Sequence, residues 1–138
     1  MTTRHTEISV STNGRKLYDI TRSVDEIVRT CDVRDGLCHL FVKHTSCAVL
    51  LNENADPSVR RDLVYFIQKL VPDDDPNYIH TCEGADDMPA HIKSALLPVS
   101  LAIPIRNGSL ELGTWQAIYL WEHRIQPHNR RIVVSILD

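Results

Sequence analysis

Polar and apolar residues alternate along HTEISVST, from His5 to Thr12, with the period of a strand that buries one face. Asn13-Gly14 follows, and RKLYDIT resumes an extended pattern. Asn-Gly between two such runs predicts a tight hairpin. Ser23 to Glu26 reads S-x-x-E, a capping box, and Val24, Ile27, Val28 and Cys31 then recur at helical spacing. A short helix is therefore expected after the hairpin. Gly36 closes a turn, and LCHLFVK and SCAVLLN read as two strands joined near His44 and Thr45. Asp56-Pro57 predicts the start of a second helix: Asp accepts from the orphan N–H groups, and Pro suits the first helical position. Val59, Leu63, Phe66, Ile67 and Leu70 form its expected buried stripe, and Pro72 stops it.

VPDDDPNY reads as a polar loop, and Asp73, Asp74 and Asp75 as a solvated acidic run. Asp86 or Asp87 then caps a third helix over MPAHIKSALL. SLAIPIR and SLELGT flank Asn107-Gly108, a second hairpin signal, and WQAIYLWEH and RRIVVSIL complete the pattern. Trp115 and Trp121 are expected in the core. About seven or eight strands with two or three helices set between them argue for an α+β fold with largely antiparallel sheet rather than a βαβ array.

Composition narrows the picture. A chain of 138 residues fits one compact domain, 1–138, with a core that needs no staples. A net charge of -3 gives no strong basic field, so nucleic acid is not an expected partner. No apolar run approaches the ~20 residues that cross a bilayer, and MTTRHTEISV carries no leader-like apolar stretch. No membrane partner and a cytoplasmic location are expected. The four cysteines form no CxxC pair and read as reduced thiols, with Cys31, Cys38 and Cys47 in packing positions.

The unusual chemistry gathers at the ends of strands. HTCEGADDMPAH, from His80 to His91, concentrates titratable groups in a stretch with few apolar anchors. His44, His80 and His91 together are candidates for metal ligands, because neutral imidazole is a common ligand and three ligands leave an open coordination position. Glu53, Glu83, Asp86 and Asp87 are carboxylates that supply a further ligand or support. The spacing matches no compact metal signature, and acid–base or anion-binding roles for His80 and His91 remain an alternative. Arg106, Arg124, Arg130 and Arg131 raise the question of phosphate binding, with surface solvation as the plainer reading. Neither GxGxxG nor a P-loop is present, so no nucleotide cofactor is expected.

Three long motifs in one order carry a resemblance: HTSCAVLLNENADPSVRRDL (44–63), HTCEGADDMPAHIKSALL (80–97) and GTWQAIYLWEHR (113–124). The chain resembles the small YjbQ-like proteins, also called uncharacterised protein family 0047, over essentially its whole length. The resemblance implies a β-sandwich-like core and a homotrimer. It also implies secondary thiamine-phosphate synthase activity, which joins a pyrimidine diphosphate to a thiazole phosphate and releases pyrophosphate. The polar cluster it implies maps onto His44, Thr45, Asn52, Glu53, Asp56, His80, Glu83, His91, Thr114, Gln116, Glu122 and Arg131. His44, Glu53, His80, His91, Gln116 and Glu122 are expected at the catalytic centre. Thr45, Asn52, Glu83, Thr114 and Arg131 are expected against the substrate, and Asp56 is read as a cap. His123 is a weaker candidate.

The expected function is that of a metal-assisted enzyme acting on a small phosphorylated metabolite, with a divalent ion, zinc or magnesium, held by His44, His80 and His91. The alternative is a non-catalytic trimer that binds a small anionic metabolite or a metal.

Overall fold

The computed structural model describes residues 1–138. Its strands are β1 (Thr3–Thr12), β2 (Leu17–Asp19), β3 (Gly36–Val42), β4 (Cys47–Glu53), β5 (Ser100–Arg106), β6 (Ser109–Leu110), β7 (Gln116–Glu122) and β8 (His128–Leu137). The helices are α1 (Thr21–Thr30), α2 (Pro57–Leu70) and α3 (Asp87–Leu96). The expected α+β domain is present, and every strand pairing is antiparallel. The strands divide into a five-stranded sheet, β1-β8-β3-β5-β6, and a three-stranded sheet, β2-β7-β4.

The core lies between the sheets. Cys38 and Leu40 of β3, Ile103 of β5, and Ile132, Val134 and Ile136 of β8 meet Cys47 and Val49 of β4 and Ile118 and Leu120 of β7. Val24 and Val28 of α1 join the same cluster. On the other face of the small sheet, Ala48 and Trp121 pack against Ile67 of α2. β7 is thus buried on both faces, which is why WQAIYLWEH reads as a nearly continuous apolar run. Cys31, Cys38 and Cys47 are buried, as their positions predict, and burial pushes the Cys38 and Cys47 thiols up to about 12.

Several local readings are corrected. Asn13-Gly14 closes no hairpin: β1 pairs with β8 over ten residue pairs, whereas β2 pairs with β7 in the other sheet. The turn instead hands the chain from sheet to sheet, fastened by Tyr18, whose hydroxyl accepts the Asn13 N–H at 2.7 Å and donates to Gly14 O at 3.0 Å. α1 begins at Thr21, ahead of the capping box, with the Asp19 carboxylate accepting the Thr21 N–H. On α2, Phe66 and Leu70 are 62% and 57% exposed, so the buried stripe shrinks to Ile67 with Leu63 and Val64 beside it. Trp121 is buried as expected, but Trp115 is 62% exposed.

Three crossings between the sheets lie at one end of the molecule: Thr12 to Leu17, Val42 to Cys47, and Glu122 to His128. The pairings Thr12↔His128, Cys47↔Glu122 and Leu17↔Trp121 set them side by side. The start of α3 closes over this end.

Candidate metal centre and its surroundings

A buried ion-pair network ties the crossings together. Arg130 donates from Nε to Glu122 Oε2 at 2.7 Å and from Nη2 to Glu122 Oε1 at 2.5 Å. Its Nη2 also reaches Ser46 Oγ at 2.8 Å, and Thr12 Oγ1 donates to Glu122 Oε2 at 2.7 Å. Burial alone would raise the Glu122 carboxyl, but the hydrogen bonds from Arg130, Thr12 and the Arg124 N–H outweigh it and hold the carboxyl below its usual range. Glu122 is fully buried, so this expected catalytic carboxylate faces its own network rather than solvent.

Arg124 extends that network to α3. It donates to Asp86 Oδ2 at 3.0 Å, to Asp87 Oδ1 at 2.6 Å and to the Glu83 carbonyl at 2.9 Å. Asp86 also accepts the Ile125 N–H, so its side chain clamps the β7–β8 crossing instead of capping α3. Asp87 is the first residue of the helix, where the dipole favours a carboxylate. Gly84, at φ +105°, supplies the left-handed turn that brings His80 back over this helix start.

His80, Asp87 and His91 form one compact group. Their ligand atoms lie within 4.8 Å of one another. Asp87 Oδ2 lies 2.6 Å from His80 Nε2 and 3.2 Å from His91 Nε2, and the ring centroids of the two histidines are 5.5 Å apart. Thr45 contributes its carbonyl: His91 Nδ1 sits 2.9 Å from it and must donate, so in the neutral ring His91 Nε2 presents a lone pair. That lone pair faces a carboxylate oxygen, also an acceptor. A cation between them relieves the opposition, and two imidazoles with a carboxylate are a donor set suited to a divalent metal with positions left open. Against its burial, Asp87 is held below the usual carboxylate range by hydrogen bonding with His80 and Glu83 and by the charge of Arg124, so it is ionised and ready to ligate.

The structure brings His80 and His91 together but sets Asp87 with them in place of His44. His44 Nε2 accepts the Arg131 backbone N–H at 2.8 Å, and Nδ1 faces the Arg130 guanidinium at 3.5 Å. Burial, then the neighbouring Arg130, lowers its pKa. It shares with His91 and Thr45 a shallow pocket of about 380 Å3. Glu83 is exposed, with a carboxylate oxygen 3.9 Å from His80 Nε2. Arg131 is largely exposed, and its Nε lies 3.8 Å from Glu7.

The other expected residues sit elsewhere. Glu53 pairs with Gln116 and Asn52 with Ala117, at the far end of the β4–β7 ladder. Six residues of strand separate Glu53 from Cys47, or about 20 Å at roughly 3.3 Å per residue. There, Asn52 Oδ1 accepts the Glu53 N–H, Gln116 Oε1 accepts the Gly113 N–H, Thr114 is exposed, and one Glu53 oxygen is buried without a partner. Asp56, on the same side, caps α2 by accepting the Ser58 N–H at 2.9 Å.

Of the four arginines in question, Arg124 and Arg130 are neither solvated nor free, and Arg106 pairs with Glu111. Arg124 was singled out for phosphate, and its role as the clamp on Asp86 and Asp87 is what sequence reasoning missed. Asp87 and His91 did carry a signal: four residues apart at a helix start, they share one helical face.

A family model described as "UPF0047 protein YjbQ-like" matches residues 6–138. A UPF0047 protein of Synechocystis sp. is 48% identical over 134 residues, covering 96% of this chain and 91% of that protein. The UPF0047 protein YjbQ of Escherichia coli O157:H7 is 43% identical over 130 residues, covering 94% of each. A crystal structure of an uncharacterised YjbQ/UPF0047 protein from Clostridium acetobutylicum superposes with a TM-score of 0.88 at 40% identity, covering 96% of this chain and 99% of that one. None of these names states an activity.

Proposed function

The chain belongs to the YjbQ-like UPF0047 family, and we propose that in it His80, Asp87 and His91 hold a divalent metal ion for chemistry on a small phosphorylated substrate. One observation carries the reading: the His91 Nε2 lone pair, fixed by the Thr45 carbonyl, points at the Asp87 oxygen that also meets His80. Two nitrogen donors favour zinc or a similar ion over magnesium, which prefers oxygen. A divalent ion there would polarise a phosphoryl oxygen and stabilise a departing pyrophosphate.

The chain's own residues do the positioning. Arg124 fixes Asp87, Thr45 fixes the His91 tautomer, and Glu83 stands beside His80 as a further carboxylate. Arg131 offers an exposed guanidinium for a phosphate near His44. The finer reading is thiamine-phosphate synthesis: the bond from the pyrimidine methylene carbon to pyrophosphate breaks as that carbon bonds to the thiazole nitrogen.

We propose a homotrimer as the working form. Ile79, Leu96 and Trp115 are exposed at 97%, 60% and 62%, an apolar cost that association removes. A closed ring also gives the distant group of Asn52, Glu53, Thr114 and Gln116 a route to a neighbouring protomer's metal site. Four unpaired cysteines support a cytoplasmic setting, where thiols stay reduced. No helix is long and apolar enough to cross a membrane.

The alternative, a non-catalytic trimer binding a metal or small anion, has one observation in its favour. The hollow beside His80, about 260 Å3, is lined by Asp73, Asp74 and Asp75, which repel phosphate and attract cations. Turnover separates the readings. Elemental analysis of untagged protein is expected to show about one divalent metal per chain, lost in His80→Ala, Asp87→Asn and His91→Ala while the far-UV spectrum is kept. Full metal in any two of these variants overturns the centre. Metal-loaded protein given the pyrimidine diphosphate and thiazole phosphate should release pyrophosphate; no product at stoichiometric protein leaves a binder.

A further inference from the structure

A second concave surface lies between β2 and α2, apart from the histidine group. It encloses about 770 Å3, within the range of small-molecule pockets. Arg15, Lys16, Arg60, Arg61 and Lys69 are five of its ten lining residues, and no carboxylate lines it, in a chain whose net charge is -3. The arrangement along α2 is ordered. Arg61, Tyr65 and Lys69 recur every four residues, so they stand in one row, with the aromatic ring between two cations about 12 Å apart at roughly 1.5 Å per residue. Arg60, Val64 and Gln68 form the adjoining row, and Leu17 faces them from β2. The middle is therefore apolar and the ends cationic.

We propose that this groove is a second ligand site, for a phosphorylated small molecule of about mononucleotide size with a planar, largely apolar body. The ring would lie on Leu17, Val64 and Tyr65, and the phosphate on the cations at an end. Arg61 and Lys69 have no carboxylate partner of their own, so a ligand phosphate displaces no ion pair there. Behind the wall sits a further charge. Lys93 is 2% exposed, and its Nζ donates to Gln68 Oε1 at 2.7 Å.

The site is distinct from the metal centre. Arg15 is held by Asp73 at 2.7 Å, and Asp73 itself lines the acidic hollow of His80, so this ion pair stands between the two. Nothing in the proposal depends on the metal reading.

Calorimetry on the full chain tests it, with AMP as the probe and adenosine and inorganic phosphate as its halves. AMP is expected to bind at least tenfold more tightly than either half. Arg61→Glu with Lys69→Glu should weaken AMP at least tenfold without changing the melting temperature. Arg22→Glu with Arg29→Glu, the same change of charge on α1, should leave AMP binding unaltered, as should His80→Ala. Tyr65→Ala should weaken AMP more than phosphate. The proposal is overturned if AMP fails to bind at millimolar concentration, if phosphate binds as tightly as AMP, or if the α1 pair or His80→Ala weakens AMP as much as the α2 pair does.

Discussion

His123 shows how much a single side chain stakes on its surroundings. It is 1% exposed, its ring tilted at 55° to Trp121 with centroids 5.8 Å apart, and both ring nitrogens lack a partner. Burial, reinforced by Lys93, pushes its pKa down to about 3 from 6.5. A depressed base is neutral in the folded chain, so between those values the unfolded chain binds more protons, and stability rises with pH. The parent should therefore lose stability as pH falls from 6.5, by about 1.4 kcal/mol per pH unit for this one group. His123→Phe removes the proton and keeps an apolar ring. Urea unfolding at pH 6.5 and 5.5, where the unfolded ring is only half protonated at the start, is expected to show about 1 kcal/mol less loss in the variant; equal losses in both would mean that the ring is protonated or solvated when folded. At this scale the sequence was partly legible. Asp87 and His91 stand together because a helix begins where the pattern says it begins. Arg124 was singled out only for phosphate; its hold on Asp87 could not be read, because it spans 37 residues that no local pattern records.

Elements were most legible where a turn or cap is self-contained. Asp56 caps α2, and Asn107-Gly108 closes β5 on β6, with Ile105↔Leu110 and Arg106↔Ser109 paired. Both turn residues have positive φ, 53° and 81°, as a tight hairpin twisted with its strands requires. Gly108→Ala puts a Cβ into that backbone and is expected to cost about 1 kcal/mol. Thermal unfolding would show it, with metal content unchanged because the turn belongs to the large sheet and the histidine group to the crossings. An unaltered melting temperature would mean that the hairpin relaxes to another turn. Asn13-Gly14 carries the same dipeptide and misleads, because ten residue pairs with β8 outweigh what a three-residue β2 could offer to β1. The exposed Phe66 and Leu70 misled in the opposite way. They hold the right spacing for a buried stripe, but the small sheet is only wide enough to cover Ile67 and its neighbours.

For the whole molecule, the α+β class, the sandwich-like core and the family were legible, and the assignment of each strand to its sheet was not. That assignment decides the site, because the Val42–Cys47 and Glu122–His128 crossings bring Thr45 and Arg124 to the end where α3 begins. It also leaves Asn52, Glu53, Thr114 and Gln116 at the other end of the β4–β7 ladder, with Glu53 about 20 Å from Cys47 at roughly 3.3 Å per strand residue. Light scattering at micromolar concentration is expected to give three times the chain mass of 15.7 kDa. A monomer would remove the proposed route between the two groups and the reason offered for the exposed apolar side chains.

The ladder that joins β1 to β8 also sets a clock. Thr3 meets Leu137 and Thr12 meets His128, so the first strand made is sheet-bound only to the last. During synthesis at about 5–20 residues per second, β1 stays unpaired for several seconds or longer, until β8 has left the ribosome. Pairing so distant in sequence is slow to nucleate, because the loop must close before any contact rewards it. Every nascent chain therefore passes through a stage in which an edge strand is open to the wrong partner. Its polar outward residues, Glu7, Ser9 and Ser11, are what keep that interval harmless.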